Sequence, residues 1–279
     1  MPDLYGIIGY PLKHSFSPEM HTLAFARFNM DAVYEAYEIE PSAFQQRIAA
    51  LKSEPYKGFN VTVPYKQAII PYLDDLQVTA RKIGAVNTIV QTDDGGWRGY
   101  NTDYAGFLAP IRERLSQINS VLIIGAGGAA RAVVFGLLQR RSYERVVLVN
   151  RSKDRAGQLA EEVYREEAKN IEVHGLSEIT QRPDAFDLVV NTTSVGMHGH
   201  EGQIPLDAVP LSHATTIVYD LIYNPAKTAF LQRAEQAGLT ILNGLPMLIG
   251  QAAESFYLWR RKRWPQTLVN DMRKRLLRT

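Results

Sequence analysis

Apolar residues in this chain fall mostly in short runs, separated by stretches in which apolar and polar positions repeat at helical spacing. Runs of this kind bounded by turn residues read as buried strands, and the amphipathic stretches between them as crossover helices, the pattern of α/β architecture. Over roughly the first hundred residues the strands fall at "LYGIIGY", "VYEAYEI", "GFNVTV" and "AVNTIV", with helices over 18–28, 42–51 and 67–73. "DDGG" at 93–96 marks a turn into a short strand ending near Tyr100. The last two strands stand too close together for a helical crossover, which predicts an antiparallel hairpin and a mixed sheet.

A second series begins at Val121, with strands "VLIIG", "VVLVN", "DLVVN", "TIVYDL" and "LTILN" and helices over 129–139, 155–168 and 226–237. A helix over 104–115 joins the two series, and the chain ends in helices from about Ile249. The expectation is an α/β protein of two domains. A mixed-sheet domain occupies 1–103, a parallel Rossmann-type domain 104–243, and a C-terminal helical segment, 244–279, packs back on the first.

With 279 residues, 46% of them apolar, the chain can supply a core for each domain. Its net charge is only +2, so no overall field argues for a nucleic-acid or membrane partner. The balance is uneven: eight basic residues and one acid lie between Arg260 and Thr279, leaving 23 basic and 28 acidic residues before them. That tail reads as helix ends and a solvated face rather than a nucleic-acid patch. With no cysteine, disulfides and thiolate chemistry are excluded. Neither a basic leader nor a long apolar run stands at the N-terminus, so the expectation is a soluble cytoplasmic protein, monomeric or homodimeric.

"VLIIGAGGAARAVVFGLL" is a strand, a glycine turn and a helix in succession, and fits the dinucleotide fingerprint with Gly125, Gly127 and Ala130. The helix start offers amide donors and positive dipole to phosphate. At the end of the next strand, where an NAD site carries an acid for the ribose hydroxyl, stand Asn150 and Arg151. A carboxylate there would repel a 2′-phosphate, whereas an amide and a guanidinium can bond it, so NADP is favoured.

In the first domain the polar residues cluster at predicted strand ends, where ligands bind in open α/β sheets. "GYPLKHSFSP" carries Ser15 and Ser17, "NVTVPYK" carries Asn60, Thr62 and Lys66, "GAVNTI" carries Asn87, and "GYNTD" carries Asn101, Thr102 and Asp103. Taken singly, each leaves two readings open. Ser17 and Asp103 either cap helices or face a ligand, and Lys66 is either solvated or functional.

The ordered set "GxPxxHSxSP", "NVTxPxK", "GAVNT", "NTD", "GAGGAARA", "NRS", "NTTSVGM", "DLIYNP" and "NGLPMLIGQAA" resembles the shikimate dehydrogenase family, from Gly6 to about Glu254. The resemblance implies NADPH-dependent reduction of 3-dehydroshikimate to shikimate, on the pathway to chorismate and the aromatic amino acids, by two α/β domains with a cleft between them. It implies Lys66 and Asp103 as the catalytic pair. Ser15, Ser17 and Tyr223 would hold the substrate carboxylate, and Asn60, Thr62, Asn87, Asp103 and Gln251 its ring hydroxyls. Gly125, Ala126, Gly127, Gly128, Ala129, Asn150, Arg151, Ser152, Arg155, Thr192, Leu221 and Gly244 would line the NADP site. Asn191 and Thr192 are otherwise turn residues, and Leu221 is otherwise core.

The alternatives are a quinate/shikimate dehydrogenase of relaxed specificity and a protein that senses NADPH or shikimate without turnover. No metal is expected. His198, His200 and Glu201 share a glycine-rich loop without a third strong ligand nearby, and His14 and His21 lack metal spacing.

Overall fold

The computed structural model describes residues 1–13, 15–139, 143–163, 171–181 and 185–277. The chain divides into two compact units, the first formed by Met1–Gly106 with Ile249–Thr279 and the second by Phe107–Leu248.

In unit 1 the strands are β1 (Asp3–Gly9), β2 (Ala32–Glu38), β3 (Tyr56–Val61), β4 (Asp75–Leu76), β5 (Thr88–Gln91) and β6 (Trp97–Tyr100), in the spatial order β2-β1-β3-β5-β6-β4. β1 lies parallel to both β2 and β3, through crossovers that contain α1 (Ser17–Arg27) and α2 (Phe44–Lys52). β5 runs antiparallel to β3 and to β6, so the sheet is mixed, as the short connection predicts. The hairpin turn closes with Thr92 N–H donating to the Gly96 carbonyl at 2.8 Å, and Gly95 takes a φ of +82°, which a side chain would strain. Ile8, Phe59, Ile89, Trp97, Ile48 and Leu51 fill the core on one face.

Three departures from the sequence pattern have local causes. Over 67–73 the chain makes turns and one 3-10 turn, Ile70–Tyr72, because Pro71 has no N–H to continue a helix. The strand in "AVNTIV" starts only at Thr88, since α3 (Val78–Ile83) ends on Gly84 in the left-handed region (φ +68°) just before it. The helix expected over 104–115 is α4 (Asp103–Leu108) followed by 3-10 structure over Ala109–Gln117, where Pro110 interrupts the α-helical ladder. Neither β4 nor α3 has enough length or alternation to be read from sequence.

Unit 2 holds β7 (Ser120–Ile124), α5 (Gly128–Leu138), β8 (Arg145–Asn150), α6 (Lys153–Val163), β9 (Ile171–Gly175), α7 (Leu176–Ile179), β10 (Phe186–Asn191), β11 (Ser212–Asp220), α8 (Ala229–Gln236) and β12 (Thr240–Leu242). Its sheet is parallel throughout, ordered β12-β11-β10-β7-β8-β9, the doubly wound dinucleotide-binding arrangement. β9 escapes the apolar-run reading because it is an edge strand, half-buried, with Glu172 and His174 alternating with its apolar positions. The expected end of the 155–168 helix lies outside the described residues.

The chain then returns to unit 1 through α9 (Leu245–Arg260) and α10 (Gln266–Leu276). Trp259 Nε1 donates to the Ile89 carbonyl at 2.8 Å, and Arg260 pairs with Asp3, so α9 is bonded to the sheet. A Cβ on Gly58 would come within 2.2 Å of Trp259 Nε1; glycine at that position in β3 is what lets the helix lie so close. Among the described residues no helix is long and apolar enough to cross a membrane.

Candidate active site

In unit 1 Lys66, Asn87 and Asn101 bond Asp103, and Asn60, Thr102 and Gln251 bond Asn87. β3 ends at Val61, and the tight turn after it, with Tyr65 N–H donating to the Thr62 carbonyl, brings Lys66 to bear. Lys66 Nζ lies 2.7 Å from Asp103 Oδ2, and the two side chains are 17% and 5% exposed. Asp103 stands in the first turn of α4, but its carboxylate is committed to side chains. Oδ2 takes Lys66, and Oδ1 accepts from Asn87 Nδ2 at 2.8 Å.

The orientation of the Asn87 amide is fixed by a group that can only donate. Thr102 N–H points at Asn87 Oδ1 from 2.7 Å, so Nδ2 must be the end that faces Asp103. Asn87 Nδ2 also lies 2.9 Å from Thr102 Oγ1 and 3.3 Å from Gln251 Oε1, on α9. Asn101 supports the same loop, its Nδ2 donating to the Ala85 carbonyl and its Oδ1 accepting from Asp103 N–H. Asp103 is thereby held as an acceptor on both oxygens, and Lys66 has its counter-ion fixed in place.

Asn60 is buried beside this group. Its Oδ1 accepts from Tyr34 OH at 2.7 Å, and its Nδ2 reaches the Asn87 carbonyl at 3.2 Å and Ser255 Oγ at 3.0 Å. What Asn60 can offer a ligand is therefore the second lone pair of Oδ1. Ser17 faces the Tyr34 phenol and opposes the strong upward push that burial gives that phenol's pKa. α1 begins with no side-chain cap, so Ser17 is not spent as one; its N–H lies 3.4 Å from Ser15 Oγ. Thr62 is half-buried and its γ-methyl packs against Gly9, where a Cβ would come within 2.4 Å. His14, of the same serine motif, lies outside the described residues.

Unit 2 presents a second set at the carboxyl ends of its strands. β7 and β10 are neighbours at which the connections diverge to opposite sides, the switch point where such sheets bind ligands. Gly125, after β7, has a φ of +113°, and a Cβ on it would strike Thr192 Oγ1, so only glycine makes this turn. A Cβ on Gly127 would meet no protein atom within 4 Å. Packing thus does not require that glycine, and the space beside it is open. α5 starts at Gly128 with no side-chain cap, its first amides available to an anion, and Ala130 is fully buried behind them.

Asn150, ending β8, bonds the Ser152 carbonyl at 2.9 Å; Arg151 and Arg155 are exposed, and Ser152 Oγ accepts from Arg155 N–H. Among the described residues no carboxylate ends β8, and two guanidinium groups, Arg151 and Arg155, follow it. The donor set fits a 2′-phosphate.

At the ends of β10 and β11, Asn191, Thr192, Leu221 and Gly244 form one backbone-bonded group. Thr192 bonds the Ile124 carbonyl, Leu221 N–H the Asn191 carbonyl and Gly244 N–H the Ile222 carbonyl. Tyr223 is carried by this unit, and burial raises its phenol pKa. Asp220, fully buried, accepts from Asn191 Nδ2 at 2.9 Å, from Ile222 N–H at 3.1 Å and from Thr228 Oγ1 at 2.6 Å; burial pushes its carboxyl up to about 6. In the sequence Asp220 stands out only as part of "TIVYDL" and "DLIYNP", and Tyr34, Thr88 and Ser255 carry no signal of their own, since partners of each lie far along the chain. His198 pairs with Glu201 at 2.6 Å on the exposed loop.

With this geometry in view, the comparisons are specific. The profile described as "Shikimate dehydrogenase substrate binding domain" matches residues 7–89, and that described as "Shikimate / quinate 5-dehydrogenase" matches 110–198. "Shikimate dehydrogenase (NADP(+))" of Caldanaerobacter subterraneus subsp. tengcongensis is 40% identical over 258 residues, 92% of this chain and 91% of that protein. The crystal structure of shikimate dehydrogenase from Aquifex aeolicus superposes with a TM-score of 0.85 at 36% identity, covering 98% of each chain. That of the Thermus thermophilus enzyme, in complex with NADP(H) and shikimate, gives a TM-score of 0.83 at 33% identity over 99% of this chain and 100% of that one.

Proposed function

The chain belongs to the shikimate dehydrogenase family, and we propose that within it Lys66 and Asp103 carry the reaction while the residues bonded around them hold the substrate. Its activity is the NADP-dependent, reversible reduction of 3-dehydroshikimate to shikimate. Bound NADPH supplies the hydride.

The residues of this chain do the rest. As the ketone carbon is reduced, its oxygen becomes negative, and the Lys66 ammonium stabilises that charge and delivers the proton. Asp103 keeps the ammonium aimed and leaves a hydroxyl-accepting carboxylate edge beside it. Asp103 acts through the lysine: its Oδ2 faces the Lys66 ammonium and its Oδ1 the Asn87 amide, which Thr102 N–H turns as a donor. In the oxidation of shikimate, Lys66 in its neutral form takes the hydroxyl proton.

Asn60, Thr62, Asn87 and Gln251 supply neutral acceptors and donors for ring hydroxyls, and Ser15 and Ser17 receive the carboxylate. A site of this kind rejects an analogue that lacks a hydroxyl, since a buried polar group is then left unpaired. Gly125–Ala129 take the diphosphate, Asn150, Arg151, Ser152 and Arg155 the 2′-phosphate, and Thr192, Leu221 and Gly244 the nicotinamide side. A chain without cysteine suits the reducing cytoplasm, where we place it.

The observation that carries this reading is the Lys66–Asp103–Asn87 chain with its fixed amide. Reduction of NADP+ by the purified protein, followed by NADPH absorbance with shikimate and with quinate, tests it. Turnover of shikimate at least about tenfold more efficient than of quinate is expected. Equal efficiencies would replace the reading with relaxed specificity, and no turnover of either would overturn it.

A further inference from the structure

We infer that Ser255, on α9, is a positioning residue for the substrate site: its hydroxyl pins the helix that carries Gln251 to the strands that carry Asn60 and Asn87. The inference rests on unit 1 being the substrate site.

Ser255 is fully buried, and four polar groups from four segments surround its oxygen. Asn60 Nδ2, at the end of β3, is 3.0 Å away; Thr88 Oγ1, opening β5, is 2.7 Å away; Thr102 Oγ1, in the loop before α4, is 3.2 Å away; and the Gln251 carbonyl, one helical turn back, is 3.0 Å away. A hydroxyl has one proton and two lone pairs. The Asn87 carbonyl can only accept, so the Asn60 amide nitrogen must turn toward it and toward Ser255, which makes Ser255 an acceptor there. The Gln251 carbonyl can only accept too, so Ser255 spends its proton on that bond. Its remaining lone pair then takes the Thr88 hydroxyl, and Thr102 Oγ1 is left to bond Asn87. This assignment satisfies the hydroxyl, with Thr88 giving its proton to Ser255 at 2.7 Å rather than to Asn87 Oδ1 at 3.1 Å.

The consequence is directional. The bond to the Gln251 carbonyl fixes the helical turn whose side chain approaches Asn87, and the bond from Asn60 ties that turn to the end of β3. A second anchor on the same helix, Trp259 to the Ile89 carbonyl, fastens α9 without touching any of these groups. Docking of the helix and alignment of the site are therefore separable by substitution.

The test is steady-state kinetics on Ser255→Ala and Ser255→Cys, with Trp259→Phe as the docking control, in both shikimate and NADP+. Ser255→Ala should raise the KM for shikimate about tenfold, the scale of one lost buried hydrogen bond, with the KM for NADP+ changed less than about twofold. Ser255→Cys, which keeps the volume and a weak acceptor, should give a smaller rise in the same KM. It carries the same test if the alanine variant does not fold. Trp259→Phe should leave the KM for shikimate within about twofold, because it removes the docking bond and part of the ring packing on Tyr5, His21 and Tyr34 but no hydrogen bond to Asn60, Asn87 or Gln251. A folded Ser255 variant with an unmoved shikimate KM, or a Trp259→Phe variant that matches Ser255→Ala, would overturn the inference while wild-type turnover of shikimate left the family reading intact. Wild-type protein inert toward shikimate would instead remove the premise.

Discussion

As pH falls from 7 to 5, unit 1 should lose stability through His21. Its ring is fully buried, stacked on Tyr34 with centroids 4.6 Å apart and planes 12° apart, and flanked by Trp259 at 5.0 Å and Trp264 at 5.9 Å. Burial pushes the imidazole from its ordinary 6.5 down to about 3, with Asn60 pulling weakly the other way. Between these two values the unfolded chain binds a proton that the folded chain refuses, so stability is full above pH 6.5 and falls as pH drops. Each pH unit in that window removes up to about 1.4 kcal/mol, which gives about 2 kcal/mol lost by pH 5 and about 5 kcal/mol over the whole span.

All three tryptophans of the chain, Trp97, Trp259 and Trp264, belong to unit 1, so their fluorescence follows that unit alone. Urea unfolding of wild type and His21→Phe, compared by tryptophan fluorescence at pH 7, 6 and 5, isolates the effect from the other carboxylates, which titrate alike in both. The wild-type stability relative to the variant should fall by about 2 kcal/mol between pH 7 and 5. A difference constant to within about 0.5 kcal/mol would refute the reasoning, because a neutral buried imidazole cannot leave the linkage unchanged.

Asp220 should act with the opposite sign. Its carboxyl is raised from 3.8 to about 6, so its stabilising contribution is present below pH 3.8 and is lost as pH rises through 6. Wild type measured against Asp220→Asn by circular dichroism should lose about 2 kcal/mol between pH 4 and 7, and a flat difference would count against a buried carboxylate there. Lys66→Ala should keep the fold and the affinity for NADPH, read by fluorescence titration, while kcat falls at least about a hundredfold, the scale of general acid catalysis; near-normal turnover would remove Lys66 from the chemistry. Arg151→Ala should reduce the preference for NADPH over NADH by about tenfold in kcat/KM, as expected for a lost charge-assisted bond to phosphate. An unchanged ratio would mean that Arg151 does not read the 2′-phosphate.

Much of this protein is decided by its sequence alone. The apolar runs and the helical repeats between them determine two α/β series, and the close spacing of "AVNTIV" and the strand after "DDGG" determines an antiparallel pair, because no crossover fits the gap. The glycine turn is equally local: Gly125 takes a positive φ, a demand set by the turn itself. Edge elements such as β9 are lost to sequence reasoning because half-burial leaves no run of apolar residues to see. What only the tertiary structure decides is which polar atoms are already spoken for. Asn60 is locked between Tyr34 and Ser255, residues 26 before it and 195 after it. Asp103 is held as an acceptor by an Asn87 amide whose orientation is set by a backbone N–H of the NTD loop. Hydrogen-bond donors and acceptors are saturable, so the role of each buried polar residue depends on all of its neighbours at once, and those neighbours are assembled only by folding.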